Sequence, residues 1–200
     1  MSPVLVFDLG KVLVDFDYSI GARKIAARST KQLPDLHGFI GNSEILHRYE
    51  TGLLSRRQFF DEMRNLTGFS GDLDEFVSYF ANIFLEIPAM IQLHADLRRR
   101  GFKSFIFSNT NDIAIQHIRH NFPFFANFDG YIFSYEVGAM KPLPKIYEAM
   151  EKMCGARGGE IIYIDDRPEN IEAGASRGWK TVLHATPEQT RAALAGLKCL

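Results

Sequence analysis

Three short, mainly apolar runs constrain the fold of this 200-residue chain more than any other feature. They cover residues 4–7, 102–107 and 161–164, and each one ends at polar side chains. A run without polar alternation is typical of a strand that is buried on both faces of a parallel sheet. Weaker candidates for strands of the same kind occur at residues 131–133 and 181–183.

Helical patterns separate these candidate strands. Apolar residues recur at helical spacing in 90–97, just before Gly101, and again in 146–153. A shorter helix is indicated over 168–177, because it opens on a proline and closes at a glycine. Strands that alternate with helices predict an α/β fold with a doubly wound parallel sheet.

The segment 16–86 interrupts this alternation, because it contains no convincing strand. Ser55 is a preferred N-cap residue for a helix with one apolar face, and residues 72–85 repeat that helical pattern. We therefore expect a helical cap, 16–86, inserted after the first strand of an α/β core. The core is expected to comprise residues 1–15 and 87–200.

Composition and charge exclude several classes of protein. The chain carries 23 Lys and Arg against 24 Asp and Glu, so it lacks the excess of basic residues that is typical of nucleic-acid-binding proteins. No apolar run approaches the length of a membrane span, and the N-terminus does not resemble a signal peptide. Two cysteines, Cys154 and Cys199, have no metal-binding spacing. We expect a cytoplasmic protein, either a monomer or a homodimer.

The three strongest strand candidates all end at side chains that suit phosphate chemistry. Asp8 ends the first, Ser108 and Asn109 end the second, and Asp165 with Asp166 ends the third. Ligands bind outside the carboxyl ends of the strands in an open α/β sheet. Crowded carboxylates repel one another unless a cation neutralises them, and their oxygens suit a Mg²⁺ ion that bridges to a phosphate.

Lys141 adds a positive charge that can balance both a nucleophilic carboxylate and a phosphoryl group. Together these residues predict a Mg²⁺-assisted phosphoryl-transfer site with a carboxylate nucleophile. Taken singly, each has an ordinary structural explanation: residues 108–110 can cap a helix, 165–166 can form a turn, and Lys141 can be a solvated loop residue. The combination favours the catalytic interpretation.

Four segments of the chain carry a resemblance to a known family. They are Phe-Asp-Leu-Gly-Lys-Val-Leu (7–13), Phe-Ser-Asn-Thr (107–110), Gly-Ala-Met-Lys-Pro-Leu-Pro-Lys-Ile-Tyr (138–147) and Ile-Asp-Asp-Arg-Pro-Glu-Asn-Ile (164–171). In this order they resemble the motifs of the haloacid dehalogenase superfamily of hydrolases, over nearly the whole chain. The resemblance implies a Rossmann-like core with a small helical cap. Within the superfamily, the chain most resembles the bacterial sugar-1-phosphate phosphatases, such as those acting on α-D-glucose 1-phosphate, and the N-terminal phosphatase domain of soluble epoxide hydrolase.

The resemblance also implies a role for each matching residue at the phosphoryl group. Asp8 would be the nucleophile that forms an aspartyl-phosphate. Ser108 and Asn109 would hold the oxygens of the transferring phosphoryl group. Lys141 would neutralise the charge between Asp8 and the phosphate.

A Mg²⁺ site is implied in the same way. Asp8 and Asp166 would bind the ion directly, the backbone carbonyl of Gly10 would be a further ligand, and Asp165 would help through water. Asn170 stands where many relatives have an acidic residue, so its role outside the first ligand shell is left open.

Gly10 is the main departure from the family pattern. Most phosphatases of the family have an aspartate here that acts as general acid and base, and such help contributes about 10²–10⁴-fold to the rate. We expect a substrate whose leaving oxygen departs easily, such as a sugar 1-phosphate, and hence a steep dependence of rate on leaving-group pKa. The alternatives are a substitute acid, for which Asp15, Asp17 and His47 are candidates, or near-inactivity.

Two other functions stay open from the sequence. A metal-independent 2-haloacid dehalogenase would also lack an aspartate at position 10, although such dehalogenases usually lack the pair at 165–166. A non-catalytic member that binds a phosphorylated ligand or a protein partner is the second, and Gly10 is the one observation that favours it.

The cap is expected to determine specificity, because no motif within it indicates a particular substrate. Phe16 and Phe39, at the edge of the cap, are candidates for lining a substrate pocket. The expected partner is a small phosphorylated metabolite, without nucleic acid or membrane.

Overall fold

The computed structural model describes residues 3–31 and 43–200, so Phe39 lies outside the described residues. Within these ranges the strands, in chain order, are β1 (Val4–Phe7), β2 (Val14–Phe16), β3 (Phe84–Glu86), β4 (Ser104–Ser108), β5 (Gly130–Phe133), β6 (Ile161–Asp165) and β7 (Lys180–Leu183). The α-helices are α1 (Tyr18–Ala27), α2 (Glu44–Glu50), α3 (Arg56–Thr67), α4 (Leu73–Ala81), α5 (Pro88–Arg99), α6 (Asp112–Asn121), α7 (Ser134–Val137), α8 (Pro144–Cys154), α9 (Pro168–Ser176) and α10 (Pro187–Gly196).

Five of the strands form one parallel sheet, which confirms the predicted α/β fold. Their order across the sheet is β5-β4-β1-β6-β7. The central strand β1 pairs with β4 on one side and with β6 on the other, and Phe7 lies level with both Ile106 and Ile164. The carboxyl ends of these three strands therefore meet at one edge of the sheet.

Both faces of the sheet are covered by helices, as the apolar runs predicted. Leu5 and Phe7 pack with α5 and α6 on one face, whereas Val4 and Val6 pack with α8 on the other. Successive side chains of a strand point to opposite faces, so β1 must be apolar at every position. Each large aliphatic or aromatic side chain that is fully buried in this way contributes about 1.5–3 kcal/mol to folding.

The insertion after β1 has its own apolar cluster. Phe59, Phe60 and Phe76 are at most 1% exposed, and Tyr49 stacks on Phe59 with ring centroids 4.3 Å apart. Helix α3 begins at the predicted N-cap, Ser55, whose side chain and that of Gln58 form a capping box. A stacked aromatic pair such as this one stabilises the folded protein by about 0.5–1.5 kcal/mol beyond the effect of the surface area that it buries.

The expectation that residues 16–86 contain no strand is wrong. Strands β2 and β3 form an antiparallel ribbon in which Val14 pairs with Glu86 and Phe16 with Phe84. Each strand has only three residues, and the two strands are far apart in the chain, so no local pattern of apolar residues in the sequence indicates them. The ribbon pairs the two chain segments that connect the insertion to the sheet. Helix α4 ends at Ala81, before β3 begins at Phe84.

None of the helices in the two described ranges is long and apolar enough to span a membrane.

Candidate active site

The sheet edge brings the sequence-predicted residues together. Asp8 directly follows β1, Ser108 is the last residue of β4, and Asp165 is the last residue of β6, with Asp166 next to it. Because β4, β1 and β6 are neighbours, all of these side chains project from the same edge. Asp8, Ser108 and Asp165 are 7%, 3% and 0% exposed.

Lys141 lies at the centre of this cluster. Its Nζ donates hydrogen bonds to Asp8 Oδ1 at 2.9 Å, to Asp165 Oδ2 at 2.6 Å and to the carbonyl oxygen of Phe107 at 2.8 Å. An ammonium group has three hydrogens, so these three acceptors use all of them. Lys141 therefore acts on the site as a buried positive charge that links Asp8 to Asp165.

Asn109 places Lys141 at the sheet edge. Its Oδ1 accepts from the backbone N–H of Lys141 at 2.7 Å, and its Nδ2 donates to the carbonyl of the same residue at 3.0 Å. This reciprocal pair fastens the loop between α7 and α8 to the end of β4. The Asn109 amide thus has a structural task beside the phosphate-binding role that the family resemblance implies.

Asp165 is enclosed by hydrogen-bond donors. Its Oδ1 accepts from the backbone N–H of Arg167 at 2.8 Å and from Asn170 Nδ2 at 3.0 Å, while Tyr163 donates to Oδ2 beside Lys141. Asn170, for which the sequence left the role open, is buried and held against Asp165. Asp165 is therefore a carboxylate that supports the site from behind, whereas Asp166 faces the open side.

Burial and charge act against each other in the pKa values of the site. Burial raises the pKa of Asp8 to about 7, although the Lys141 ammonium opposes that shift. Burial would also raise the pKa of Asp165, but Lys141 and the surrounding donors hold it below its usual value. The pKa of Lys141 lies well above its ordinary value because two carboxylates outweigh the effect of its burial. Burial raises the pKa of Asp166, and the charge of Asp165 adds to that shift.

The carboxylates fit a hard divalent cation. Asp8, Asp165 and Asp166 each offer an oxygen, and these oxygens lie within 4.8 Å of one another. Oxygen ligands of this kind suit Mg²⁺, and a cation beside Asp8 would favour its ionised form. The donor set therefore fits the ion that the sequence predicts, with Asp8 and Asp166 on the open side.

A cavity of about 370 Å³ opens over these residues. Asp8, Ser108, Asn109, Lys141 and Asp166 form its floor. The wall also includes side chains of the inserted segment and of the ribbon, namely Phe16, Tyr18, Leu46, Glu50 and Phe84. Phe16 is thus in the cavity, as the sequence suggested. A small ester fits here with its phosphate on the polar floor and its leaving group against a largely apolar wall.

Phe16 occupies the space next to Gly10. A Cβ atom on Gly10 would lie 2.9 Å from Cε1 of the Phe16 ring, closer than real Cβ contacts. The ring is itself held by Tyr18, with centroids 5.3 Å apart, and by Phe84 at 6.0 Å. The aromatic ring therefore fills the place where most family phosphatases have a carboxylate.

We expect Gly10→Asp to destabilise the protein by about 1–3 kcal/mol, because it overpacks the Phe16 ring. The double variant Gly10→Asp with Phe16→Ala should lose less stability than the sum of the losses of the two single variants, because removing the Phe16 ring leaves space for the aspartate side chain. Urea unfolding of the four proteins measures this coupling. Additive losses would show that the ring swings aside without cost.

Sequence reasoning missed three residues near the cavity. Glu50 ends α2 and lines the wall, and Arg167 follows the aspartate pair. Asn111, rather than residues 108–110, caps α6 by accepting from the backbone N–H of Ala114 at 3.0 Å. The polar run before α6 was the available signal for Asn111, but nothing local to Glu50 indicates that it faces the sheet edge.

The three proposed substitutes for the missing acid do not line the described part of the cavity. Asp15 forms an ion pair with Lys11, and Asp17 caps α1 by accepting from the backbone N–H of Ser19 at 2.8 Å. His47 is exposed on α2. The geometry thus leaves these side chains without access to a bound ester.

The fold and the site define an α/β enzyme with a carboxylate cluster and a buried lysine at the strand ends. A sequence model of haloacid dehalogenase-like hydrolases matches residues 3–178. The chain therefore belongs to the haloacid dehalogenase-like hydrolase family, as the resemblance of its four segments implied.

Two relatives are similar to this chain over most of their length. D-ribitol-5-phosphate phosphatase of Bacteroides thetaiotaomicron is 25% identical over 187 residues, which cover 88% of this chain and 89% of the relative. A sesquiterpene phosphatase of Aspergillus oryzae is 24% identical over 176 residues, or 86% and 85% of the two chains. A crystal structure of a family enzyme from B. thetaiotaomicron, in complex with magnesium and inorganic phosphate, has a TM-score of 0.81 at 24% identity, covering 92% of this chain and 95% of that chain. That structural likeness confirms the fold.

Proposed function

We propose that this hydrolase is a Mg²⁺-dependent phosphatase that cleaves a small phosphate monoester through an aspartyl-phosphate on Asp8. The observation that carries the proposal is the buried Asp8 carboxylate on the cavity floor, with a buried ammonium 2.9 Å from it and two further carboxylates whose oxygens lie within 4.8 Å of one another and of Asp8. Each of these groups serves one need of phosphoryl transfer: a nucleophile, a compensating charge and a cation site.

Asp8 and Asp166, with the Gly10 carbonyl, would hold the Mg²⁺ ion, and Asp165 would support them from its buried position. When bound, the ion supplies positive charge against the phosphoryl oxygens and against the crowded carboxylates. Lys141 keeps Asp8 and Asp165 from repelling each other before the substrate arrives.

In the first step an Asp8 carboxylate oxygen attacks phosphorus, and the bond from phosphorus to the leaving oxygen breaks. Ser108, at the end of β4, lies on the cavity floor where its hydroxyl can donate to a phosphoryl oxygen. Asn109 holds the Lys141 loop through the paired hydrogen bonds described above. In the second step water attacks the phosphorus of the aspartyl-phosphate and releases inorganic phosphate.

A polyol or sugar phosphate is the substrate class that we favour. The D-ribitol-5-phosphate phosphatase named above acts on such an ester and is similar over nearly its whole length. We assign residues 16–86 the role of a cap that shapes the leaving-group side, with the core made of 1–15 and 87–200. The apolar wall supports this division, because Phe16 and Phe84 belong to the ribbon at its boundary.

The first test is a screen of sugar phosphates, polyol phosphates and nucleotides with and without Mg²⁺. We expect phosphate release that disappears with excess chelator and returns when Mg²⁺ is added in excess, because three carboxylates against the one Lys141 ammonium leave negative charge that repels an anionic ester. Addition of Ca²⁺ instead serves as the control for cation charge alone. Full activity in chelator would exclude this mechanism, and chloride release from a 2-haloacid would indicate a dehalogenase.

A further inference from the structure

We propose that Glu50 donates the proton to the leaving oxygen and then takes a proton from the attacking water, in place of the aspartate that Gly10 replaces. The proposal rests on the proposed phosphatase function and concerns the same cavity. It assigns two roles within one cavity, with Asp8 at the sheet edge as the nucleophile and Glu50 on the inserted segment as the acid and base.

The position of Glu50 carries the proposal. It is the last residue of α2, half-buried, and it lines the cavity that Asp8 and Asp166 also line. Asp8 reaches the cavity from the sheet edge and Glu50 reaches it from the inserted segment. An ester whose phosphorus lies at Asp8 and whose leaving group extends toward the inserted segment would place its leaving oxygen on the side of Glu50, where a proton is needed.

Helix α2 is held firmly against the sheet edge. Tyr49 donates a hydrogen bond to Asp112, the first residue of α6, and Arg56 forms an ion pair with the same carboxylate at 2.5 Å. The Asn111 side chain, which caps α6, also hydrogen-bonds to Glu50. These contacts connect helices α2, α3 and α6, so the Glu50 carboxyl is held in place by packing and hydrogen bonding.

The surroundings of Glu50 suit proton exchange near neutral pH. Burial raises its pKa to about 7, while the Asn111 hydrogen bond and the Arg167 guanidinium oppose that shift. Tyr18 of α1 also faces it, and the charge of Glu50 adds to the burial that raises the pKa of this tyrosine. An acid–base group is most efficient when its pKa lies near the working pH.

Other groups in the cavity are less suited to this task. Among the described residues that line it, Asp8, Asp166 and Glu50 carry the carboxyl groups, and the first two belong to the cation cluster. Tyr18 holds its proton too tightly, because its pKa lies well above the usual value. Lys11 also lines the cavity, but its ammonium is already bonded to the carboxylate of its i+4 neighbour and to the Phe16 carbonyl.

Atoms and electrons balance over the two steps. Asp8 Oδ forms a bond to phosphorus, the P–O bond to the alcohol breaks with its electron pair, and that oxygen takes the proton of the Glu50 carboxylic acid. The resulting Glu50 carboxylate then removes a proton from water as the water oxygen attacks the aspartyl-phosphate. Phosphate leaves, the Asp8 carboxylate is restored, and Glu50 is again protonated.

If Glu50 is the proton donor, the wild type should not show the steep dependence of rate on leaving-group pKa that Gly10 alone suggested. We expect wild-type kcat/KM to change little from dinitrophenyl phosphate through phenyl phosphate to ethyl phosphate. Glu50→Gln should turn over ethyl phosphate about 10²–10⁴-fold more slowly, the range for lost general acid–base help, and should show a steep dependence. With dinitrophenyl phosphate it should release a burst of dinitrophenol followed by slow turnover, because the second step also lacks its base.

Glu44→Gln is the matched control, because Glu44 is a glutamate of the same helix that is exposed and outside the cavity. It should behave as the wild type with every ester. If Glu50→Gln has the same leaving-group dependence as the wild type, whether steep or shallow, Glu50 is not the donor. That result leaves the phosphatase function standing, whereas absence of Asp8-dependent turnover in the wild type refutes the function itself.

A second variant keeps the proposal testable if glutamine disturbs folding. Glu50→Ala removes the carboxyl and leaves a space, so added formate should restore turnover of ethyl phosphate in a concentration-dependent way. A merely structural role for Glu50 would not respond to formate. No recovery at saturating formate, in a variant whose melting temperature matches the wild type, would overturn the assignment.

Discussion

Asp8→Asn is expected to lower kcat by about 10⁴-fold or more with every substrate, the scale seen when a covalent nucleophile is removed. An amide oxygen does not form the aspartyl-phosphate, although it has nearly the shape of the carboxylate. The measurement is steady-state phosphate release together with detection of an acid-stable or hydroxylamine-sensitive phosphoenzyme, which the variant should not form. A variant with a large part of the wild-type kcat would place the nucleophile elsewhere.

The same variant should be more stable than the wild type in metal-free solution at pH 8. Burial raises the folded-state pKa of Asp8 to about 7 from an ordinary value of 3.8, so the folded protein binds this proton more tightly than the unfolded chain. The contribution of Asp8 to the free energy of unfolding of the wild type is therefore complete below about pH 4 and is lost as the pH rises toward 7. The gain from Asp8→Asn should be largest at pH 8 and smaller at pH 5, as measured by thermal unfolding in chelator. An equal gain at both pH values would show that Asp8 does not titrate in this range.

Lys141→Met is expected to destabilise the protein by about 3–5 kcal/mol, because it leaves Asp8 and Asp165 buried without their shared cation. The Lys141 side chain is 1% exposed, and both carboxylates lie within 3 Å of its Nζ. Turnover should be lost as well. Urea unfolding at neutral pH measures the first effect, and phosphate release the second.

Two comparison variants separate charge from packing at Lys141. Lys145→Met changes an exposed lysine of α8 and should alter the unfolding free energy by no more than about 0.5 kcal/mol. The double variant Asp8→Asn with Lys141→Met should recover part of the lost stability, because one of the two stranded carboxylates is gone. If the double variant is as unstable as Lys141→Met, the lysine acts through packing of its stem rather than through its charge.

Most of the floor of the site could be predicted from the sequence, because one geometric rule places it. Buried parallel strands have a local signature, and their carboxyl ends meet at one edge. Asp8, Ser108 and Asp165 each stand at the end of such a run, so their meeting follows once the strands are recognised. Lys141 was predicted only as a positive charge for the site, and its position between Asp8 and Asp165 is visible only in the structure, since no strand ends at it.

The wall of the site could not be predicted in that way. Glu50 and Phe16 belong to segments whose position depends on pairing between β2 and β3 and on the contact of α2 with α6. These contacts join residues far apart in the chain and leave no periodicity within either partner. The candidates Asp15, Asp17 and His47 are near the site residues in sequence. In the fold, however, Asp15 pairs with a lysine, Asp17 caps α1 and His47 is exposed.

The amino-acid sequence by itself determined the parallel sheet, the chemical character of its carboxyl edge and the loss of a carboxyl at Gly10, because these depend on residue types at the ends of local runs. Tertiary structure alone decided that the Phe16 ring fills the space beside Gly10 and that Glu50 lines the same cavity as Asp8. The physical reason is that a strand signals its own burial, whereas a side chain on the inserted segment acquires its pKa and its partners only when packing brings that segment over the sheet.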